Sequence, residues 1–317
     1  MKRTIAIAAA LLFSVASAAF AELHGSWTAN SWDKKPEVLQ LNITRGHNHQ
    51  FGNSTKVSDL RGLTEAQVNG TAATPVQFQM AREAGTISFE GSFRNGDGAG
   101  QWTFTPNRGY VSTIRSMGLE FDLDGGDEEE DLMQLTVLDV STAYIRSMQA
   151  AGYRETLEKY MTMRIFKVTP ELVNELRQLG FDHLSADEIV NTRIHKVTPD
   201  YIRQMRAAGW NLSLEDLMSS RIHKATPEFA EEMKKLGYSL DFDDLINFRI
   251  HRVTAEFINE LRDLGYTNLS ADTLVEMRIF KVTPEYIREL KSAGYSGIPV
   301  RKLIDMKIHK IDIKRLR

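Results

Sequence analysis

From residue 164 onward the chain repeats itself. A basic residue followed by isoleucine recurs at Arg164, Arg193, Arg221, Arg249, Arg278 and Lys307, at spacings of 29, 28, 28, 29 and 29 residues. The text around it is nearly constant: "RIHKVTPDYIRQMRAAGW" at Arg193 returns as "RIHKATPEFAEEMKKLGY" at Arg221. A looser copy, "TVLDVSTAYIRSMQAAGY", begins at Thr136 with Val140 in register with Val168. So short and regular a period confines the chain to a stacked architecture, in which each unit buries its apolar face only against its neighbours.

The punctuation of the unit predicts two short helices. Thr169-Pro170-Glu171 is a helix start: the threonine oxygen caps free N–H groups, proline suits the first helical position, and an acid suits the positive dipole end. The start recurs at Thr198, Thr226 and Thr283, and at Thr254 with Ala255 in place of proline. Leu172, Val173, Leu176 and Leu179 then share one helical face. Gly180, Gly209, Gly237, Gly265 and Gly294 stop the helix, each followed by an aromatic residue placed for a Schellman-type contact. Ser185 to Glu188 reads as a capping box opening the second helix, which is expected to bury Ile189, Val190 and Ile194. The residue before proline resists helix and enforces the break. Helices of about ten residues cannot stand alone, so stacking must hold them.

Ahead of the repeats the pattern has period two. Leu39, Leu41 and Ile43 alternate to one face, as do Val76, Phe78 and Met80, then Ile87, Phe89 and Phe93, then Trp102 and Phe104. Glu83-Ala84-Gly85 and Asn95-Gly96-Asp97-Gly98 separate these runs as hairpin turns. At least four antiparallel strands are expected, as a small sandwich or half-barrel, with a short helix near "KVSDLRGL". The segment "TPNRGYVSTIRSMG" from Thr105 echoes the first helix of the repeat, so the sheet hands over directly to a half-repeat. Residues 122–131, "DLDGGDEEED", lose apolar content and read as an acidic linker. Residues 22–131 hold nine basic and sixteen acidic side chains, whereas 132–317 hold 28 and 26. The expected division is thus a leader (1–21), a β-rich domain (22–121), the linker and a repeat domain (132–317): an α+β chain with an N-terminal antiparallel β domain followed by an α-solenoid of 28–29-residue helical hairpins.

The start, "MKRTIAIAAALLFSVASAAFAE", has a basic head, a short apolar core and a small-x-small site, Ala19-Phe20-Ala21 before Glu22 with Ala16-Ser17-Ala18 as the alternative, which reads as a secretory signal peptide. No later stretch is apolar enough to cross a bilayer. The expected location is periplasmic or secreted, with no transmembrane segment after cleavage. There is no cysteine, which excludes disulfides, thiolate catalysis and cysteine zinc sites. A net charge of −3 gives no argument for nucleic acid.

His195, His223, His251 and His309 share a slot that Phe166 and Phe280 fill in the other copies. A metal ligand cannot be exchanged for phenylalanine, so the slot reads as an aromatic-shaped packing position and no metal is expected. The acidic run fails the EF-hand template, "GDGAG" lacks the lysine and helix of a phosphate loop, and His47-Asn48-His49 reads as loop. Neither HExxH nor GxSxG occurs, so neither an enzyme nor a cofactor is expected. Two basic rows remain: Arg193, Arg221, Arg249 and Arg278, and, three residues later, Lys196, Lys224, Arg252 and Lys281. Cations near helix C-termini satisfy the dipole; as a row along one edge they also suit an anionic ligand or partner. These eight are the expected partner-binding residues.

At "RIHKVTPDYIRQMRAAGWNLSLEDL" the chain resembles a bacterial repeat built on V-T-P-E-[YF]-I-x-E-[LM]-[RK]-x-x-G-Y. Such repeats occur in secreted proteins and in extracytoplasmic parts of membrane metallopeptidase sensors that look like β-lactam receptors. The segment "GTISFEGSFRNGDGAGQWTFTPN" is similar to sequence that accompanies them. The resemblance implies a bacterial, extracytoplasmic protein. The peptidase motif and membrane helices of those sensors are missing, so no catalytic residue carries over. The expected function is non-enzymatic: a binding scaffold that recognises a protein or peptide partner in the cell envelope through the repeat surface. The alternative is a carbohydrate- or lipid-binding module using Trp27, Trp32 and Trp102 of the β domain.

Overall fold

The computed structural model describes residues 23–32, 35–46, 49–121, 123 and 127–311. The expected leader, most of the first half of the acidic run and the His47-Asn48 pair lie outside the described residues, as do the side chains of Trp32 and His49. The chain divides into two compact units, Met1–Ile165 and Phe166–Arg317. No described helix is long and apolar enough to cross a membrane.

The first unit is built on six strands: β1 (His24–Trp32), β2 (Lys35–Arg45), β3 (His49–Lys56), β4 (Thr74–Arg82), β5 (Gly85–Arg94) and β6 (Asp97–Pro106). They form one antiparallel sheet in the order β3-β2-β1-β6-β5-β4, not a two-sheet sandwich. The expected alternation holds: Leu39, Leu41, Ile43, Phe78, Met80, Ile87, Phe89, Phe93, Trp102 and Phe104 are all buried. The β5–β6 turn places Asn95 and Gly96 both at positive φ, the geometry that follows the sheet's twist. Gly91 pairs with Gly100 across β5 and β6. The Trp27 indole lies against both, so close that a Cβ on either would collide with it, and donates to the Glu90 carbonyl at 3.1 Å. Between β3 and β4 come a single 3-10 turn (Val57–Asp59) and α1 (Glu65–Asn69), which starts at a capping box between Thr64 and Gln67.

The expected linker is only partly a loop. Asp127 caps α3 (Glu128–Leu138) by accepting from the Glu129 N–H. Glu129 pairs with Arg108 at 3.0 Å and Glu130 with Arg45 at 3.3 Å. Four acids in a first helical turn favour the positive end of the dipole, and two of them also find arginines, so the run folds where composition alone suggested solvation. Before it, α2 (Arg108–Ser116) runs as the expected half-repeat, with Tyr110, Val111 and Ile114 buried. After it come α4 (Thr142–Ala150) and α5 (Leu157–Ile165). These hairpins belong with the sheet: α3 packs on β4, β5 and β6, the Tyr110 hydroxyl donates to the Val140 carbonyl at 2.6 Å, and the Glu83 carboxylate accepts from the Thr142 N–H at 2.7 Å. The division of the chain therefore falls after α5, later than composition suggested.

The described residues of the second unit form five helical hairpins: α6 (Pro170–Gln178) with α7 (Ala186–Ile194), α8 (Pro199–Ala207) with α9 (Leu214–His223), α10 (Pro227–Lys235) with α11 (Phe242–Ile250), α12 (Ala255–Asp263) with α13 (Ala271–Ile279), and α14 (Pro284–Ser292) with α15 (Val300–Ile308). Each first helix is capped by its threonine, whose hydroxyl accepts from the N–H three residues on. Helices stack on their equivalents one hairpin along, α6 on α8 and α12 on α14, α9 on α11, α11 on α13 and α13 on α15. Val173, Leu176, Ile189, Met205, Leu217, Met233, Leu245, Leu261, Leu274, Leu290 and Leu303 fill the interior this makes.

Candidate functional site

The two basic rows, alike in sequence, are unlike in structure. Each arginine of the first row leaves the last turn of a second helix, and three of the four reach back to a backbone carbonyl about one repeat earlier, whereas the buried Arg221 Nε makes no hydrogen bond. The Arg193 Nε donates to the Phe166 carbonyl at 3.0 Å, Arg249 to that of His223 at 3.1 Å, and Arg278 to that of His251 at 3.1 Å. The guanidinium also lies over an aromatic ring of its own hairpin's first helix: Arg221 over Tyr201 at 3.6 Å, Arg249 over Phe229 at 4.6 Å and Arg278 over Phe257 at 4.8 Å. Arg193 has no such ring because Leu172 stands there. All four are half-buried. Burial, then the nearby Arg252 charge, lowers the Arg278 pKa against the pull of Glu285. Arg193, Arg249 and Arg278 are braces between successive repeats, and Arg221 packs on a ring of its own hairpin.

The second row is at the surface. Lys196, Lys224, Arg252 and Lys281 are exposed, with Lys310 continuing them, and none of the five makes an ion pair among the described residues. Each has a left-handed backbone, with φ between 49° and 57°. The reason is the helix stop: the N–H after the cation bonds back to the carbonyl five residues earlier, as from Val197 to Thr192 at 2.8 Å and from Val253 to Phe248 at 2.8 Å. The first helices stop by the same bond, from Trp210 to Met205 and from Tyr266 to Leu261, but there the left-handed position holds glycine. A left-handed residue with a Cβ costs about 1–2 kcal/mol. Both helix ends present the same negative dipole, so the dipole does not explain why a cation replaces glycine at one end only.

Beside each exposed cation stands an exposed isoleucine, contrary to the burial expected of Ile194. Ile194 is 46% exposed, Ile222 55%, Ile250 46%, Ile279 49% and Ile308 47%. The apolar side of each second helix turns inward through the positions at which Ile189, Leu217, Leu245, Leu274 and Leu303 are buried, which leaves the last helical position outward. Going back along the helix by three and seven residues gives the rest of the solvent face: Asn191 and Asp187, Ser219 and Glu215, Asn247 and Asp243, Glu276 and Asp272. From α7 to α13 the face therefore carries an acidic row at one edge, and an isoleucine row with a cationic row at the other; in α15 the acidic-edge position holds Arg301. Between α13 and α15 it forms an open cleft of about 590 Å³, lined in part by Thr273, Glu276, Arg301, Asp305 and Ile308. At the acidic edge the Asp244 carboxyl is pushed up by burial and by Asp241, Asp272 and Asp243.

The histidine slot lies between these rows. His195 and His251 are C-terminal caps of their helices and His223 closes the last turn of α9; all three are half-exposed, while Phe280 packs against the interior. Among the described residues no three His, Asp or Glu side chains gather to hold a metal ion. In the first unit Trp27 and Trp102 are each only 1% exposed, and the Trp102 indole donates to the Ser26 carbonyl at 3.1 Å. They are core, which removes both from the surface that a sugar platform would need. The sequence shows the isoleucine row plainly, one strictly periodic isoleucine immediately before the histidine slot, but its period alone does not place it on the solvent side. No protein-family model, curated protein or solved structure matches the chain.

Proposed function

We propose that this protein is a non-enzymatic, extracytoplasmic binding scaffold, periplasmic or secreted, that recognises a protein partner through its repeats. The observation that carries this reading is the pairing, in every hairpin of the second unit, of a half-exposed isoleucine with an unpaired cation held in a left-handed backbone. Half-exposed apolar side chains in one uninterrupted row are rare on a surface that meets only water. A backbone conformation that costs stability at every hairpin persists where something else selects it. Lys196, Lys224, Arg252 and Lys281 face the partner; Arg193, Arg249 and Arg278 brace successive hairpins that present them, and Arg221 packs within its own hairpin.

The test is crosslinking in the native envelope followed by mass spectrometry. The wild-type protein is compared with a variant carrying Ile222→Ser, Ile250→Ser, Lys224→Ser and Arg252→Ser. The expected result is loss of the crosslinked protein species with circular dichroism and thermal midpoint unchanged. The same crosslinks at the same yield from the variant overturn the reading.

A further inference from the structure

We infer that the protein partner of this face is a second copy of the same chain, docked face to face with its second helices antiparallel to those of the first. The inference rests on the binding reading above and gives that partner an identity. Three properties of the face carry it.

The first is charge order. In four of the five second helices the solvent side runs from an acid through a polar or acidic residue to isoleucine and then to a cation: Asp187, Asn191, Ile194, Lys196; Glu215, Ser219, Ile222, Lys224; Asp243, Asn247, Ile250, Arg252; Asp272, Glu276, Ile279, Lys281. The last, α15, departs from this order, with Arg301 and Asp305 before Ile308 and Lys310. A two-fold axis lying in the interface and parallel to the rows reverses this order in the second copy. It sets each acidic row beneath the opposite cationic row and each isoleucine row over the opposite polar row, so that the two isoleucine rows lie side by side, about 7 Å apart, between the charged edges. An axis along the helices instead sets acid over acid. Over these four rungs the face is self-complementary in one orientation and self-repelling in the other, the signature of an isologous contact.

The second property is period. The rungs repeat once per hairpin, at a helix stacking distance of about 8–10 Å. A partner that meets every rung must have the same spacing, and a copy of the chain has it by construction. Four of the five rungs are also nearly identical to one another, so they suit a partner that is itself uniform rather than a peptide of mixed sequence.

The third property is the acidic row itself. Isoleucine with lysine alone would suit an anionic lipid surface. The acids lie on the same helix faces, about 10 Å away along each helix, and would press four carboxylates against the headgroups. The two edges together disfavour a bilayer and favour a partner bearing both signs. Helices of nine residues, about 13 Å long, over four stacking steps give a footprint of roughly 500 Å² per copy, near the lower limit for a specific interface. Association is therefore expected to be reversible and dependent on concentration and salt.

The experiment is sedimentation equilibrium of the whole protein with two charge variants. One reverses the cationic row: Lys196→Glu, Lys224→Glu, Arg252→Glu and Lys281→Glu. The other reverses the acidic row: Asp187→Lys, Glu215→Lys, Asp243→Lys and Asp272→Lys. The wild type is expected to dimerise, each variant alone to stay monomeric, and an equimolar mixture of the two to form a heterodimer, because each reversed row then faces its complement. Circular dichroism confirms that each variant folds. Should the acidic-row variant fail to fold, Ile222→Ser with Ile250→Ser replaces it and is expected to weaken dimerisation at least tenfold. Three results overturn the inference: a wild type that is monomeric at every concentration, charge variants that dimerise as well as the wild type, or a monomer that floats with phosphatidylglycerol vesicles through the cationic row. If the wild type is monomeric yet its envelope crosslinks to another protein depend on the isoleucine row, the inference falls and the binding reading stands. If those crosslinks are also unchanged by the row's removal, both fall.

Discussion

A lysine at a left-handed helix stop is a compromise that a single substitution can expose. At Lys224 the backbone has φ 57° and the side chain is exposed and unpaired. Glycine would adopt this conformation without a Cβ clash, though it loses more freedom on folding. Lys224→Gly is therefore expected to raise stability by about 0.5–1 kcal/mol, read as a higher urea midpoint at unchanged slope, while weakening dimerisation. A drop in stability would mean that the lysine serves the fold. The arginine three residues before each such stop has the opposite assignment. Arg249 donates to the His223 carbonyl and covers the Phe229 ring. Its loss removes a charge-assisted hydrogen bond and a ring contact, so Arg249→Ala is expected to cost about 2 kcal/mol. Arg221 covers Tyr201, but its buried Nε makes no hydrogen bond, so Arg221→Ala should cost distinctly less. Parallel urea titrations of the two variants check the difference.

The hairpin is the element at which sequence and structure agree best. Thr169, Thr198, Thr226, Thr254 and Thr283 cap as their spacing with proline and acid predicts, and Ser185 with Glu188 makes the predicted capping box, with the Ser185 N–H donating to the carboxylate at 2.7 Å. These signals are legible because they join residues two to six apart. What was not legible joins residues far apart or carries no periodicity. The arginine braces end on backbone carbonyls about a hairpin away, and a carbonyl has no letter in the sequence. Strand β3, "HQFGNSTK", is a polar edge strand without alternation, and among its described side chains β1 offers only Trp27 and Ala29 to the buried face. Ile194 lies five residues after Ile189, and on so short a helix apolar content alone did not assign its side. The same local grammar supports an improvement. Ala255 occupies the first helical position that proline holds in the other four hairpins, behind a Thr254 whose φ of −116° and ψ of 163° already suit a pre-proline residue. Ala255→Pro is expected to add about 0.4–1 kcal/mol, measured as a raised thermal midpoint.

Across the whole molecule, stability against pH follows from which groups the fold perturbs, and the two ends of the scale have different causes. On the acid side, Glu171, Glu228 and Glu285 are held below the ordinary glutamate value of 4.5 by hydrogen bonds at their helix starts, and Glu188 by its bonds from Ser185. A lowered carboxyl contributes stability that is present above its unfolded value and is lost as the pH falls through the folded one. Asp244 works the other way: burial and its acidic neighbours raise it, so its protonation on acidification relieves repulsion and offsets part of that loss. On the alkaline side the groups are tyrosines of both units. Burial raises Tyr110 and Tyr160, pushes Tyr144 up to about 12, and raises Tyr266 and Tyr286. A raised tyrosine contributes stability that is complete below its unfolded value, 10.0, and is lost as the pH climbs through the folded one. The urea midpoint is therefore expected to be flat through neutrality, to fall gradually below about pH 4.5, and to fall more steeply above about pH 10. Tyr160→Phe keeps the buried ring but removes an ionisable hydroxyl that donates to the Tyr153 carbonyl at 2.7 Å. It should lower the plateau by about 1 kcal/mol and shift the alkaline fall to higher pH. An alkaline limb that does not move in this variant would mean that Tyr160 does not contribute to it.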